Sequence, residues 1–403
     1  MTEKLNTLLR ITQFGAIKVA PGFVNILMIP YLHTMMGGGL FGRFSLFLGY
    51  ALLTITVLGS VITQPMYRFL SSDRHSLSNF HAFGFLAGGF GALAGAVVVL
   101  LIDGTAIQAL IGAAFVFCAI FYTVVTTRYQ IEAQIWRLAR FEAARVAVLC
   151  GVILAVPLLS KRLGLEYAML AFLLSYLIPI LPLINRLEIK WPDPRWLRSR
   201  LGFGSRSAIW LVLAGLPFAL SKTLLTKHLS AVELGAYSAN VDMFYRLFSM
   251  LNIAIVMWAF PTMSVAYDEG RSRDVRRTLL FGAGVYIVAG LVVITIVGVG
   301  ATFVGQFPGQ LAEGLTPFVL ILIMGFLWQG MSLAHKPLEM AQQTGIMTWL
   351  MAICFVQFVV LSWLLLASEW LLPVTAVCSA LIACSLSYIT IVIYVGLKGR
   401  KLT

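Results

Sequence analysis

The chain consists of long apolar segments separated by short polar breaks. Stretches without any charged residue run over 44–63, 82–102, 104–127 and 278–312. A helix of about 20 such residues crosses a hydrocarbon core of roughly 30 Å, whereas the strands of a membrane barrel would be short and would alternate in polarity. The pattern therefore predicts an all-α protein with membrane-spanning helices. Twelve are predicted, centred near residues 23, 54, 92, 116, 152, 176, 217, 252, 290, 324, 357 and 384.

Composition supports an integral membrane protein and argues against a water-soluble enzyme. Of the 403 residues, 60% are hydrophobic and 11% are charged. Soluble domains average about 45–50% apolar and about 25% charged residues. The net charge of +13 would suggest nucleic acid as the partner of a soluble protein. Loops on the cytoplasmic side of membrane proteins are rich in Lys and Arg, so we expect no nucleic-acid partner here.

The distribution of basic residues predicts the orientation of the chain. If the N-terminus is cytoplasmic, 22 Lys and Arg residues fall in inside segments, and the outside segments hold only Arg43, Lys161, Arg162 and Lys227. Because basic loops stay on the cytoplasmic side, both termini are predicted to lie there. We expect the protein in a bacterial inner (plasma) membrane.

The longest polar interval divides the chain near its midpoint. Residues 186–205 contain several Arg and Trp residues and are predicted to form a basic linker at the cytoplasmic interface, beside anionic lipid. The flanking segments, 1–185 and 206–403, are predicted to be two lobes of six helices each. A faint repeat at an offset of 193 residues, which includes Gly22 with Gly215, supports a parallel duplication of the kind found in many transporters.

Four charged residues fall within predicted spans: Lys18, Lys222, Arg246 and Asp242. A charge at the centre of a span costs roughly 2.5–3.5 kcal/mol on insertion scales, so these side chains should face water, each other or a substrate. Either lysine could instead snorkel to the membrane interface. Asp242 and Arg246 are four residues apart on one helical face and could form a structural ion pair.

The sum of these four charges is +2, which is unstable in a low dielectric unless it is hydrated or met by an anion. The surplus predicts a wet cavity that receives a negatively charged ligand. Four further polar residues within spans are candidates for lining the cavity, although hydrogen bonds between helices would explain them equally well. They are Asn25, Gln64, Asn240 and Gln329.

Several sequence motifs of catalysis, nucleotide binding and metal binding are absent from the sequence. There is no GxxxxGK[ST] loop for ATP, no HExxH and no cysteine–histidine metal cluster, and no nucleophile can be assigned a base and an orienting group. We therefore expect no enzyme activity, no metal and no cofactor. Active transport would draw on the membrane potential or on a gradient of a coupling ion, H⁺ or Na⁺.

Four segments resemble the Wzx-type polysaccharide flippases, which belong to the multidrug/oligosaccharidyl-lipid/polysaccharide (MOP) superfamily. These segments are GFVNILMIPYLHTMMGGGLFGRFSL (22–46), QPMYRFL (64–70), LSKTLLTKHLSAVELGAYSANVDMFYRLFSML (220–251) and AFPTMS (259–264). The resemblance implies a MATE-like fold in which two six-helix lobes enclose a central cavity and rock between inward-open and outward-open states.

The resemblance also implies a cargo, namely a polyprenyl-pyrophosphate-linked oligosaccharide moved to the periplasmic leaflet for O-antigen, lipopolysaccharide or a related polysaccharide. A polysaccharide polymerase would be a further partner. On this interpretation Arg246 and Lys18 contact the pyrophosphate, Lys222 contributes from the opposite lobe, and Asp242 holds Arg246 or binds the coupling ion. Two alternatives stay open, a cation-coupled multidrug exporter of the same superfamily and a non-transporting scaffold of a polysaccharide-assembly complex.

Overall fold

The protein is almost entirely helical. The computed structural model describes residues 2–70, 76–132, 134–159, 163–304, 315–340 and 343–398, and these contain no strand. A short 3-10 helix, Leu181–Arg186, precedes α7. The α-helices are α1 (Thr2–Met36), α2 (Gly38–Phe69), α3 (Leu77–Leu101), α4 (Ala106–Ile131), α5 (Ile135–Leu159), α6 (Leu165–Ile180), α7 (Pro194–Leu225), α8 (Ala231–Asp268), α9 (Ser272–Val304), α10 (Leu315–Ala334), α11 (Lys336–Met340), α12 (Thr344–Ser368) and α13 (Pro373–Lys398).

The predicted all-α class and the predicted helix positions are confirmed. Each of the twelve predicted centres falls in a different long helix, and the five-residue α11 is an addition. Among the described residues, nine helices are long and apolar enough to cross a membrane. The other three long helices, α1, α5 and α8, carry charged residues inside their length. The protein is thus a multi-pass membrane protein, and its membrane and the side of its termini stay predictions.

The first compact unit comprises Thr34–Ala219. In it α4 packs against α2, α3, α5 and α6. Glycine allows the close approach of α3 and α4, since a Cβ on Gly95 would lie 2.9 Å from the carbonyl oxygen of Gly112. Small residues at such crossings are typical of membrane helices, where van der Waals contact between backbones replaces the hydrophobic effect.

The second compact unit comprises Met1–His33 with Leu220–Thr403. Here α10 packs against α8, α9 and α13, and α12 packs against α13. Aromatic rings fill the space between helices, with the centroids of Phe244 and Phe318 5.3 Å apart and those of Phe248 and Phe326 5.7 Å apart. The predicted lobes, 1–185 and 206–403, are defined as the two parts that move relative to each other in transport. This division of the chain into two lobes stays a prediction.

The predicted linker 186–205 is partly helical, because its last twelve residues form the beginning of α7. Pro194 occupies the first helical position, where a missing N–H costs nothing. The Asp193 side chain accepts a hydrogen bond from the backbone N–H of Arg195 at 2.6 Å and so caps the helix. The basic segment is therefore continuous with the seventh span.

Candidate functional site

Two helices bring three of the four predicted interior charges together. Lys222 lies in the last turn of α7, and Asp242 and Arg246 lie one turn apart in α8. Lys222 Nζ is 2.6 Å from Asp242 Oδ1. The Lys222 side chain is only 2% exposed, whereas that of Asp242 is 20% exposed. The ammonium group is therefore sealed behind its carboxylate partner.

This pairing differs from the expected one, in which Asp242 holds Arg246. A fully buried ammonium loses its hydration and requires a counterion, and Asp242 supplies it. Lys222 also belongs to the same compact unit as Arg246 rather than to an opposite one. In this arrangement Lys222 neutralises Asp242, and its buried side chain is not accessible to a cargo.

Arg246 is half-buried, and among the described residues no acid forms an ion pair with its guanidinium. Its charge acts on Lys222 and on Tyr245 beside it. Because Lys222 and Asp242 cancel, these three residues carry a net charge of +1, located on Arg246. A guanidinium in this position offers planar, paired N–H donors suited to a phosphate or carboxylate.

Lys18 lies in α1, and its side chain falls outside the described residues. Asn25 is half-buried on the same helix. Helix α1 approaches α8, because a Cβ on Gly22 would be 3.2 Å from Met250 Sδ. Asn25 is nearly one turn beyond Gly22, and Arg246 is one turn before Met250. The twelve-span topology predicted from the sequence makes α1 and α8 antiparallel, and it then places Asn25 and Arg246 at about the same depth.

The other polar candidates lie in packed surroundings. Asn240 is 1% exposed and donates to the carbonyl oxygen of Ala236 on its own helix at 3.0 Å. Gln329 is 7% exposed and hydrogen-bonds with Tyr245, which joins α10 to α8. Gln64 is half-buried on α2, in the other compact unit. A hydrogen bond between helices accounts for Gln329, as the alternative interpretation predicts, whereas the bond from Asn240 to Ala236 stays within α8.

A second buried ion pair was not predicted from the sequence. Glu142 and Arg145 lie inside α5 with Oε2 and Nε 3.0 Å apart, and their side chains are 8% and 10% exposed. The Arg145 guanidinium lies 5.3 Å from the ring centroid of Tyr176. Arg145 is one of the 22 basic residues assigned to inside segments from the sequence, and the structure shows it buried within α5. Its side of the membrane stays a prediction. The three-residue spacing of Glu142 and Arg145 on one helical face was the available signal.

The two interior carboxylates that the structure describes, Glu142 and Asp242, are thus each paired with a base. In the described part of the chain no three His, Cys, Asp or Glu side chains are grouped so that they could hold a metal ion. The chemistry that this arrangement offers is binding of an anion at Arg246.

Comparison with known proteins identifies the fold. No family model matches the chain, and no curated protein matches it. Among solved structures, an outward-facing multidrug resistance MATE family transporter of the MOP superfamily is similar over 98% of this chain and 96% of its own, with 14% identity and a TM-score of 0.64. An inward-facing transporter of the same description is similar over 94% and 96%, with 11% identity and a TM-score of 0.72.

A third similar structure is a MOP superfamily transporter from Pyrococcus furiosus, for which a binding pocket of reversed polarity is described as suggesting a different function. It covers 96% of this chain and 95% of its own, with 12% identity and a TM-score of 0.64. These likenesses confirm the predicted MATE-like fold. At this level of sequence identity they show the fold and do not identify a cargo.

Proposed function

We propose that the chain is a membrane transporter that works by alternating access and moves a polyprenyl-pyrophosphate-linked oligosaccharide between leaflets. Arg246 contacts the pyrophosphate, with Lys18 and Asn25 of α1 completing the site. The fold supports transport, because similar structures of both inward-facing and outward-facing transporters cover nearly the whole chain.

The observation that supports an anionic cargo is the half-buried guanidinium of Arg246 beside the neutral Lys222–Asp242 pair. A cation held at this depth loses hydration energy that a negatively charged guest restores. A ligand shifts a conformational equilibrium only by its difference in affinity between the states. A phosphate that binds Arg246 more tightly in one state than in the other supplies that difference.

The chemistry of a lipid-linked cargo also fits a membrane transporter without an ATP-binding motif. The head group with its sugars cannot cross hydrocarbon, whereas the polyprenyl tail stays in lipid throughout. Moving two negative charges outward across 100 mV, inside negative, releases roughly 4–5 kcal/mol. The membrane potential alone then favours export, and a coupling ion is an addition rather than a necessity.

A cation-coupled multidrug exporter is the second candidate, because two of the similar structures are multidrug resistance transporters. Exchange of cations for cationic drugs uses interior carboxylates. Among the described residues, both interior carboxylates are in ion pairs, and the cation on Arg246 repels a cationic guest. The charges therefore favour the anionic cargo.

The experiment compares Arg246→Gln with Arg246→Lys in cells whose own gene is deleted. We expect the glutamine variant to accumulate lipid-linked oligosaccharide inside while it still inserts, and the lysine variant to retain part of the export. Arg277→Gln, which removes an exposed arginine of α9, serves as the matched control and should export normally. Full export by Arg246→Gln would refute the assigned role. Resistance to cationic dyes conferred by the parental protein would favour the multidrug exporter instead.

A further inference from the structure

The segment between the sixth and seventh spans carries large exposed apolar side chains. Trp191 is 66% exposed, Ile189 is 46% exposed and Leu201 is 39% exposed. Exposed apolar side chains of this size in one segment mark contact with a membrane or with a partner. Trp in particular is favoured at the level of lipid head groups, where its ring meets both apolar and polar surroundings.

One side of this segment packs against the helix bundle. The opposite side, which carries the exposed residues, therefore faces away from the bundle. Trp196 meets the ring of Phe80 edge to face with centroids 4.9 Å apart, and the Arg200 guanidinium lies 3.6 Å from the ring centroid of Phe69. The backbone N–H of Lys190 donates to the carbonyl oxygen of Ser78 at 3.3 Å. These contacts bind the segment to the ends of α2 and α3.

Three exposed bases stand among the exposed apolar residues. Lys190 precedes Trp191, and Arg195 and Arg198 lie three residues apart in the first turns of α7, which places them on one helical face. Within the described residues none of the three forms an ion pair. The segment contains two acids, Asp193 and Glu188. Asp193 accepts a hydrogen bond from the Arg195 N–H and caps α7, and Glu188 is exposed. The bases outnumber the acids, so the surface keeps a positive charge.

We propose that residues 187–203 form a binding site for the head groups of acidic phospholipids in the leaflet at this end of the bundle. Arg195, Arg198 and Lys190 bind the phosphate groups, while Trp191 and Ile189 enter the boundary between head groups and acyl chains. Basic side chains and apolar anchors on one surface are the combination that selects anionic membranes. This site is separate from Arg246 and does not depend on the transported cargo.

The test measures retention of phosphatidylglycerol and of phosphatidylcholine on the purified full chain by native mass spectrometry. The parental protein should bind phosphatidylglycerol preferentially. K190Q/R195Q/R198Q should weaken that binding by roughly fivefold for each of the three charges removed, which is on the order of 100-fold in total. R195K/R198K keeps the charge and should keep most of the binding. All replaced side chains are exposed, so folding should be unaffected, and size-exclusion chromatography checks this.

A position control removes three other exposed arginines, in R273Q/R276Q/R277Q at the beginning of α9. It should leave phosphatidylglycerol binding within a few-fold of the parental value. An equal loss in this control would show a general effect of charge and would overturn the proposal, as would unchanged binding by K190Q/R195Q/R198Q. Displacement of the lipid by millimolar inorganic phosphate would also overturn it, because the site would then recognise a soluble anion.

Discussion

Replacement of Asp242 by Asn tests the ion pair at the candidate site. At 2.6 Å, opposite unit charges attract by about 6 kcal/mol if the effective dielectric constant is about 20. Desolvation of both groups offsets much of this attraction when the pair forms. Once the acid is removed, the buried ammonium of Lys222 has lost its hydration and its counterion, and Arg246 repels it. We expect D242N to lose about 3–5 kcal/mol of unfolding free energy.

The double variant K222M/D242N separates stability from transport. It removes both members of the pair, so the net charge near Arg246 stays +1, and an apolar side chain fills the buried position of Lys222. Apolar replacement of a buried ion pair is often neutral, so we expect stability within about 1 kcal/mol of the parental protein. Export of lipid-linked oligosaccharide should also be retained, because the charge on Arg246 is untouched.

Unfolding in mixed micelles measures the stability, and accumulation of lipid-linked oligosaccharide in a deletion strain measures export. If D242N is as stable as the parental protein, the buried pair does not neutralise Lys222 and the electrostatic reasoning is refuted. If K222M/D242N folds and inserts but does not export, the pair takes part in transport, either through contact of Lys222 with the cargo or through a coupling ion bound at Asp242. Asp242→Glu keeps the charge and serves as the control for a change at this position.

Two further predictions concern the Thr34–Ala219 unit. E142Q should lower the unfolding free energy by about 3–5 kcal/mol, because Arg145 then lacks its buried acid. E142M/R145M should recover most of that loss. Equal stability of E142Q and the parental protein in mixed-micelle unfolding would contradict this prediction. Gly95→Ala should cost about 1–3 kcal/mol in the same assay because its Cβ would press on the carbonyl oxygen of Gly112, while Gly89→Ala, where a Cβ meets nothing within 4 Å, should cost much less.

Local sequence patterns were sufficient to predict the helices. Every predicted centre lies in a separate long helix, because the length of an apolar run and the cost of charge in hydrocarbon are properties of a short segment. The position of α7 was harder to predict, since the first turns of this helix are polar and basic and were assigned to the linker. There Asp193 and Pro194 were the local signals for a helix start.

The sequence by itself determined that charges lie within spans, because desolvation penalises a buried charge wherever its partner is. Only the tertiary structure decided which charges meet. Asp242 has Arg246 one turn away on its own helix, yet it pairs with Lys222, twenty residues earlier, since packing buries the ammonium completely and leaves the guanidinium partly exposed. Arg145 shows the same limit of the sequence. Its basic neighbours suggest an inside segment, whereas the contacts of α5 with α4 and α6 bury its side chain.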